Sequence, residues 1–261
     1  MKVELIGYTH KPLYVCAEAA AVCYNSEPDL KIIKGCIRSG HQSVLEHCSF
    51  TFKVEGISRS CSHQLVRHRI ASYSQQSQRY VTYDSVDWAV DGLEHDAVEP
   101  TLLACADAMT AYKSMIDNGV KAENARAVLP NATPTTIYVT MNLRALMHFC
   151  NERMCSRAQA EIRNVAIGMR NEIMCAEYIT IEEKEIIDTV LVPKCAAGPI
   201  KACPEVKGCG RYKPLKEFTW RPKATWEIYT GAESGCACSN CGFDGGISTF
   251  KYCPMCGSEM R

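Results

Sequence analysis

The chain has 261 residues, 47% hydrophobic and 22% charged, with 29 basic residues balancing 29 acidic ones. That is enough chain for a sizeable core, as one large domain or as a domain of about 200 residues with a small appendage. Zero net charge argues against a whole-protein field built to hold nucleic acid or an anionic membrane, and no apolar run approaches the roughly 18–20 residues of a membrane span.

The first residues, Met1 to Gly7, lack the basic start and apolar stretch of a signal peptide, so the expected compartment is the cytoplasm. Pro12 to Tyr24 is alanine-rich with helical spacing. Leu30, Ile32, Ile33, Cys36 and Ile37 predict a second short helix over 30–39. Phe50 to Val54 alternates like a strand. His63 to Arg69 reads as helix, and the serine- and glutamine-rich Ala71 to Tyr80 as loop. A helix is expected over 101–118, ending at Gly119, and another from about 122 to near Pro130. Thr135 to Thr140 is β-branched and strand-like. Asn142 to Tyr178 reads as two helices broken near 153–156, with Ser156 to Gln159 as a capping box. One continuous helix is the alternative, and it would point Arg144 and Arg153, nine residues apart, to opposite sides. Beyond Pro193 the composition shifts to Pro, Gly, Lys and Cys, which places a boundary near 215–225: a domain over 1–215, then a linker and cysteine-rich tail over 216–261.

The 17 cysteines divide in the same way. An odd count cannot pair fully within one chain, and disulfides are rare in the cytoplasm. Nine are scattered before residue 176 among apolar neighbours and read as packing groups. Eight lie between Cys195 and Cys256. Among these, Cys238-Ser239-Asn240-Cys241-Gly242 and Cys253-Pro254-Met255-Cys256-Gly257 form two CxxCG knuckles. Four thiolates at this spacing suit tetrahedral Zn²⁺, with rubredoxin-like iron as the alternative. Cys195, Cys203 and Cys209 match no zinc spacing and read as reduced thiols rather than a second metal site.

From Gly56 to Tyr83 there is no Asp or Glu, while Arg59, Arg67, Arg69 and Arg79 fall in the same stretch. Serine and glutamine side chains lie between them. Guanidinium forks bind phosphate bidentately and hydroxyls and amides complete the shell, so this stretch suits a nucleotide phosphate; a solvated polar loop is the alternative.

Arg67-His68-Arg69, then seven intervening residues, then Ser77, resembles the signature of the flavin-dependent thymidylate synthases. Further blocks follow in order: Gly40 to Ser43 with Glu46-His47, Ala125 to Pro130, and Asn142 to Phe149 with Arg153 and Ala158-Gln159. The likeness covers roughly residues 1–200. It implies an α+β subunit, a sheet with flanking helices, here carrying a small zinc-ribbon-like tail. It implies a homotetramer with active sites between subunits, so that Arg67, Arg126, Arg144 and Arg153 need not converge within one chain. The implied reaction makes dTMP from dUMP, with methylenetetrahydrofolate as one-carbon donor and NADPH as reductant through bound FAD.

By position, the resemblance places Ser43, Arg67, His68, Arg69, Gln75, Asn142, Arg144 and His148 on FAD. It places Gln64, Arg67, Gln75, Gln76, Ser77, Gln78, Arg79, Arg126 and Arg153 on dUMP, with Arg153 as the catalytic cation that polarises the uracil. An always-charged side chain suits that role, because negative charge develops on the ring as its carbon 5 turns nucleophilic. Ser77 has no evident base and reads as a phosphate ligand rather than a nucleophile. Cys61 lacks the sequence context of a catalytic thiol. At Gln75, where many members carry glutamate, this chain keeps the hydrogen bonds and loses the charge. The expected zinc ligands are Cys238, Cys241, Cys253 and Cys256. No membrane or nucleic-acid partner is expected. A flavin reductase without methyl transfer and an adaptor built around the tail are the competing readings.

Overall fold

The computed structural model describes residues 1–197, 202–205 and 207–212, and beyond them the backbone of five short strands. Two compact units divide between Lys201 and Ala202.

The first unit is α+β. Strands β1 (Lys2–Tyr8), β2 (Ser49–Ser58), β3 (Ser72–Gln75) and β4 (Pro134–Asn142) form one antiparallel sheet in the order β1-β2-β4-β3. Alternation sets its buried face. Phe50, Phe52 and Val54 on β2 stand opposite Met141, Val139 and Ile137 on β4, and all six are buried. On the other face Thr51 and Thr140 share a hydrogen bond of 2.9 Å between hydroxyls. The register shifts between Glu55 and Ile57, where Gly56 adopts φ +72°, a left-handed conformation that glycine reaches without Cβ strain. The bulge changes the phase of β2, so Ile57 and Ser58 are both buried.

Helices α1 (Pro12–Val22), α2 (Leu30–Ser39), α3 (Arg59–Leu65), α6 (Leu143–Arg153), α7 (Ala160–Cys175) and α8 (Ile181–Val190) bring their apolar residues to this sheet in one core. Helix α4 (His95–Asp117), with α5 (Ala122–Ala125) after it, builds a satellite cluster around Met109, Tyr112 and Ala125. Two buried carboxylates join elements distant in sequence. Glu161 on α7 accepts from Ser58 N and Ser58 Oγ, each at 2.6 Å, at the β2–α3 junction. Glu183 on α8 accepts from Leu13 N of α1 at 2.9 Å and from Thr180 N and Oγ1 at 3.0 Å, a capping box that also anchors a second helix. Where α7 crosses β1, a Cβ on Gly168 would lie 2.8 Å from Val3 Cγ2, so glycine permits the approach.

Several elements differ from the sequence reading. Helix α3 ends at Leu65 instead of running to Arg69, and residues 72–75 are an edge strand rather than loop. Strand β1 and helix α8 carry no counterpart in that reading. Helix α4 begins at His95 and keeps Pro100 inside it. The break between α6 and α7 is real, but Ser156 does not cap: Gln159 holds the N-cap position, and its side chain makes no capping bond to the helix. Arg163 Nη1 donates instead to the carbonyls of Ser156 and Ala158, at 2.9 and 3.3 Å, and closes the connection.

In the second unit, strands β6 (Trp226–Tyr229), β7 (Gly235–Cys238) and β8 (Asp244–Gly246) pair antiparallel in that order, and β5 (Lys223–Ala224) pairs parallel with β9 (Glu259–Met260). Cys238 closes β7. Cys241, Cys253 and Cys256, and the side chain of Cys238, lie outside the described residues.

Candidate active site

The site grows from the end of β4. The chain leaves the sheet at Asn142, whose Oδ1 accepts from Ala145 N at 2.8 Å and caps α6. One face of α6 is buried through Leu143, Leu146, Phe149 and Cys150. The other carries Arg144, His148 and Asn151 toward a cavity of about 880 Å³. The far wall is the segment after α3, Arg67 to Ile70, and Gln42 and Glu46 close the side. A helix N-terminus, an Asn amide and four arginines (Arg67, Arg69, Arg144, Arg153) against two carboxylates (Glu46, Glu152) give this cavity an anion-binding donor set.

Arg153, the last residue of α6, turns its Nε onto His68 Nε2 at 3.0 Å. His68 also packs edge-on against Phe149, with ring centroids 4.9 Å apart. Burial first, and then the positive charges of Arg153 and His148, push the His68 pKa down from 6.5 to about 4. The imidazole is therefore neutral at pH 7, with Nε2 as acceptor and the proton on Nδ1. Tyr73 on β3 fixes the same segment from behind, its hydroxyl lying 2.9 Å from Leu65 O and 2.8 Å from His68 O. At the rim, Arg144 Nη1 meets Glu46 Oε1 at 2.5 Å and Lys194 Nζ meets Glu152 Oε1 at 3.5 Å.

A second cluster follows β3. Gln75 Nε2 donates to Ser62 Oγ at 2.8 Å and lies 3.3 Å from Thr135 Oγ1. Ser77 Oγ accepts from Arg79 N at 3.1 Å, which sets a turn. Arg79 Nε pairs with Glu123 at 2.7 Å, and Arg126 Nε donates to the Glu123 carbonyl at 3.2 Å.

Comparison with known proteins decides between the readings of this arrangement. The family described as "Thymidylate synthase complementing protein" matches residues 4–176. A flavin-dependent thymidylate synthase of Geobacter sulfurreducens is 44% identical over 242 residues, covering 84% of this chain and 97% of the relative. One from Pyrococcus furiosus is 42% identical over 197 residues, covering 66% of this chain and 79% of that one. The chain belongs to the flavin-dependent thymidylate synthase family. A crystal structure of such a synthase from Helicobacter pylori, complexed with FAD and dUMP, shares the fold with a TM-score of 0.59 at 23% identity, over 73% of this chain and 99% of that one.

In this chain Arg67, His68, Arg69, Asn142, Arg144, His148 and Arg153 line one cavity. Arg144 and Arg153 share that cavity even though both lie on α6, because it wraps the helix end and Arg153 swings to His68. Gln75 to Arg79 and Arg126 lie in the second cluster. Ser43 is exposed on the turn of 3₁₀ helix Gln42–His47 and is not among the cavity's lining residues. Gln64 hydrogen-bonds Gln159 at the start of α7. Cys61 is fully buried, and burial together with the charge of Glu161 raises its thiol pKa, which removes it as a nucleophile. Glu46 entered the sequence reading only as part of the block from Gly40 to His47, with no role assigned, and Glu152 and Tyr73 were given none; the capped start of α6 was the available signal for the helix's whole outer face. Among the described residues no three His, Cys, Asp or Glu side chains gather as a metal site, and no helix is long and apolar enough to cross a membrane.

Proposed function

We propose that the chain makes dTMP from dUMP by reductive methylation, with the catalytic work in residues 1–215. The observation that carries this reading is the convergence of Arg67, His68, Arg69, Asn142, Arg144, His148 and Arg153 on one anion-binding cavity, in a chain of this family. The donor set fits a flavin dinucleotide: the α6 N-terminus and the arginines suit its phosphates, and the cavity volume suits a large ligand. Bound FAD would supply hydride chemistry, relaying reducing equivalents from NADPH while methylenetetrahydrofolate supplies the carbon.

The protein's own part is binding and electrostatics. Arg67, Arg69 and Arg144 hold phosphate charge, and the Asn142 amide and His148 offer further donors. The turn from Gln75 to Arg79, with Gln64 and Arg126, holds dUMP. Arg153, oriented by neutral His68, presents a fixed cation to the uracil and stabilises negative charge on the ring as carbon 5 attacks. Ser43 borders the flavin site. The nucleotide cluster and the flavin cavity draw on different segments, which favours a homotetramer whose subunits complete each other's sites. The unpaired core cysteines Cys16, Cys48, Cys61, Cys105 and Cys150 suit a cytoplasmic setting. Cys238, Cys241, Cys253 and Cys256 hold Zn²⁺ in the 216–261 tail, a segment with too few apolar residues to fold without it.

The test is a visible spectrum followed by turnover. The purified protein, reconstituted with FAD, is expected to be yellow and to convert dUMP to dTMP only when NADPH and methylenetetrahydrofolate are both present. A preparation that stays colourless after reconstitution overturns the proposal. Flavin reduction without dTMP formation would instead favour a reductase.

A further inference from the structure

Arg59 opens α3 inside the acid-free stretch, yet it lies outside every block that resembles the family signature. Its backbone N donates to Thr133 O at 3.1 Å, and Ser60 N donates to Asn131 O at 3.2 Å, so the start of α3 is tied to the segment leading into β4. Its side chain crosses to the end of β3, where Nη2 donates to Gln76 O at 2.7 Å. Gln76 N donates to Thr136 O at 2.9 Å, so both polar groups of that residue's backbone are engaged. One turn along α3, buried Ser62 donates to Arg59 O at 2.9 Å and accepts from Gln75 Nε2 at 2.8 Å. Residues 75 and 76 are thus held by Ser62 and Arg59 immediately before the Ser77–Arg79 turn.

Two further features separate Arg59 from an ordinary structural arginine. Its Nε is buried and has no partner among the described residues. No carboxylate among the described residues forms an ion pair with it, whereas Arg79, Arg144 and Arg170 each have one. A charge kept beside a phosphate-type turn with no internal counter-ion is poised for an anionic ligand.

We propose that Arg59 is a positioning residue of the nucleotide site: by holding the Gln76 carbonyl it sets the Ser77–Arg79 turn in the conformation that receives a nucleotide monophosphate. This rests on the function proposed above. The planar guanidinium matters as well as the charge, because only the fork can hold the carbonyl while keeping a second N–H edge inward.

The experiment compares Arg59→Met and Arg59→Lys with the wild type, all loaded with FAD. Calorimetric dUMP affinity, KM for dUMP, kcat, flavin content and hydrogen exchange over residues 75–79 are measured. In Arg59→Met, dUMP affinity is expected to fall and KM to rise by roughly tenfold, the loss of about one charge-assisted hydrogen bond's worth of order. Flavin content is unchanged, kcat falls by far less than KM rises, and exchange over 75–79 quickens. Arg59→Lys recovers only part of the affinity. If Arg59→Met does not fold, the lysine variant carries the test through its faster exchange at 75–79 and weaker dUMP binding. Unchanged KM and affinity in a folded variant overturn the proposal, as does full rescue by lysine, which would leave only a charge effect. A wild type that binds no dUMP overturns the functional reading and this proposal together; a wild type that binds it and an unaffected variant overturn this proposal alone.

Discussion

Arg153 Nε and His68 Nε2 lie 3.0 Å apart, and the direction of that hydrogen bond fixes which nitrogen of the ring is bare. Arginine can only donate, so the imidazole nitrogen facing it must be bare. The cation at the end of α6 is therefore aimed by a neutral ring that is braced in turn by Phe149.

The first prediction concerns pH. A histidine whose pKa falls from 6.5 to about 4 on folding takes up its proton later in the folded than in the unfolded chain. Its neutral form carries full stability above about pH 6.5, and stability is lost as pH falls from there toward 4. Denaturant unfolding of the wild type and of His68→Asn at pH 7, 5.5 and 4.5 should show the wild type losing stability relative to the variant as pH drops. A constant difference across that range would contradict the assigned ionisation.

Tyr73→Phe removes one hydroxyl that lies within hydrogen-bond reach of two carbonyls, those of Leu65 and His68. The expected loss is about 1 kcal/mol of stability, together with a severalfold weaker grip on FAD, because the segment carrying Arg67 to Arg69 loses its brace. Flavin titration of the apoprotein measures the second effect.

Glu183→Ala strips a fully buried carboxylate from three donors on two helices. The expected cost is about 3 kcal/mol, since Leu13 N and Thr180 lose their acceptor. For a domain of this size that is roughly 6–12 °C in a thermal melt. Gly168→Ala tests a different cause: its methyl would sit 2.8 Å from Val3 Cγ2, and overpacking there should cost about 1–3 kcal/mol.

Cys253→Ser is expected to release metal from the tail while leaving flavin bound. Elemental analysis of the two proteins reads this directly, and unchanged zinc content would mean a different ligand set.

Much of this fold is visible in local pattern, and its gaps have identifiable causes. Phe50 to Val54 alternates cleanly because one face of its strand is buried, and Thr135 to Thr140 is marked by its β-branched residues, so both strands read correctly. Ser72 to Gln75 does not alternate in polarity; it is an edge strand held by its backbone ladder to β4, and no side-chain pattern announces it. Thr180 and Glu183 form the real capping box, while the similar Ser156 to Gln159 does not, because α7 begins only at Ala160 and Gln159, not Ser156, stands at its N-cap. Within the site, the three residues of the Arg67 signature and four from α6 and its cap converge as a set. Glu46, visible only as part of a motif block, and Glu152 were given no part in the site, because the acid-free stretch directs attention along the chain, whereas a cavity draws its walls from across it.

Among the described residues the short strand β3 pairs only with β4, at the edge of its sheet. The turn that follows it can therefore be retuned by substitutions near Arg59 and Ser62 without disturbing the β1–β2–β4 framework or the capped start of α6. On the proposed roles, the turn that grips the nucleotide phosphate and the helix cap that grips the flavin have largely separate supports, so a chain built this way could change its preference for one while keeping its hold on the other.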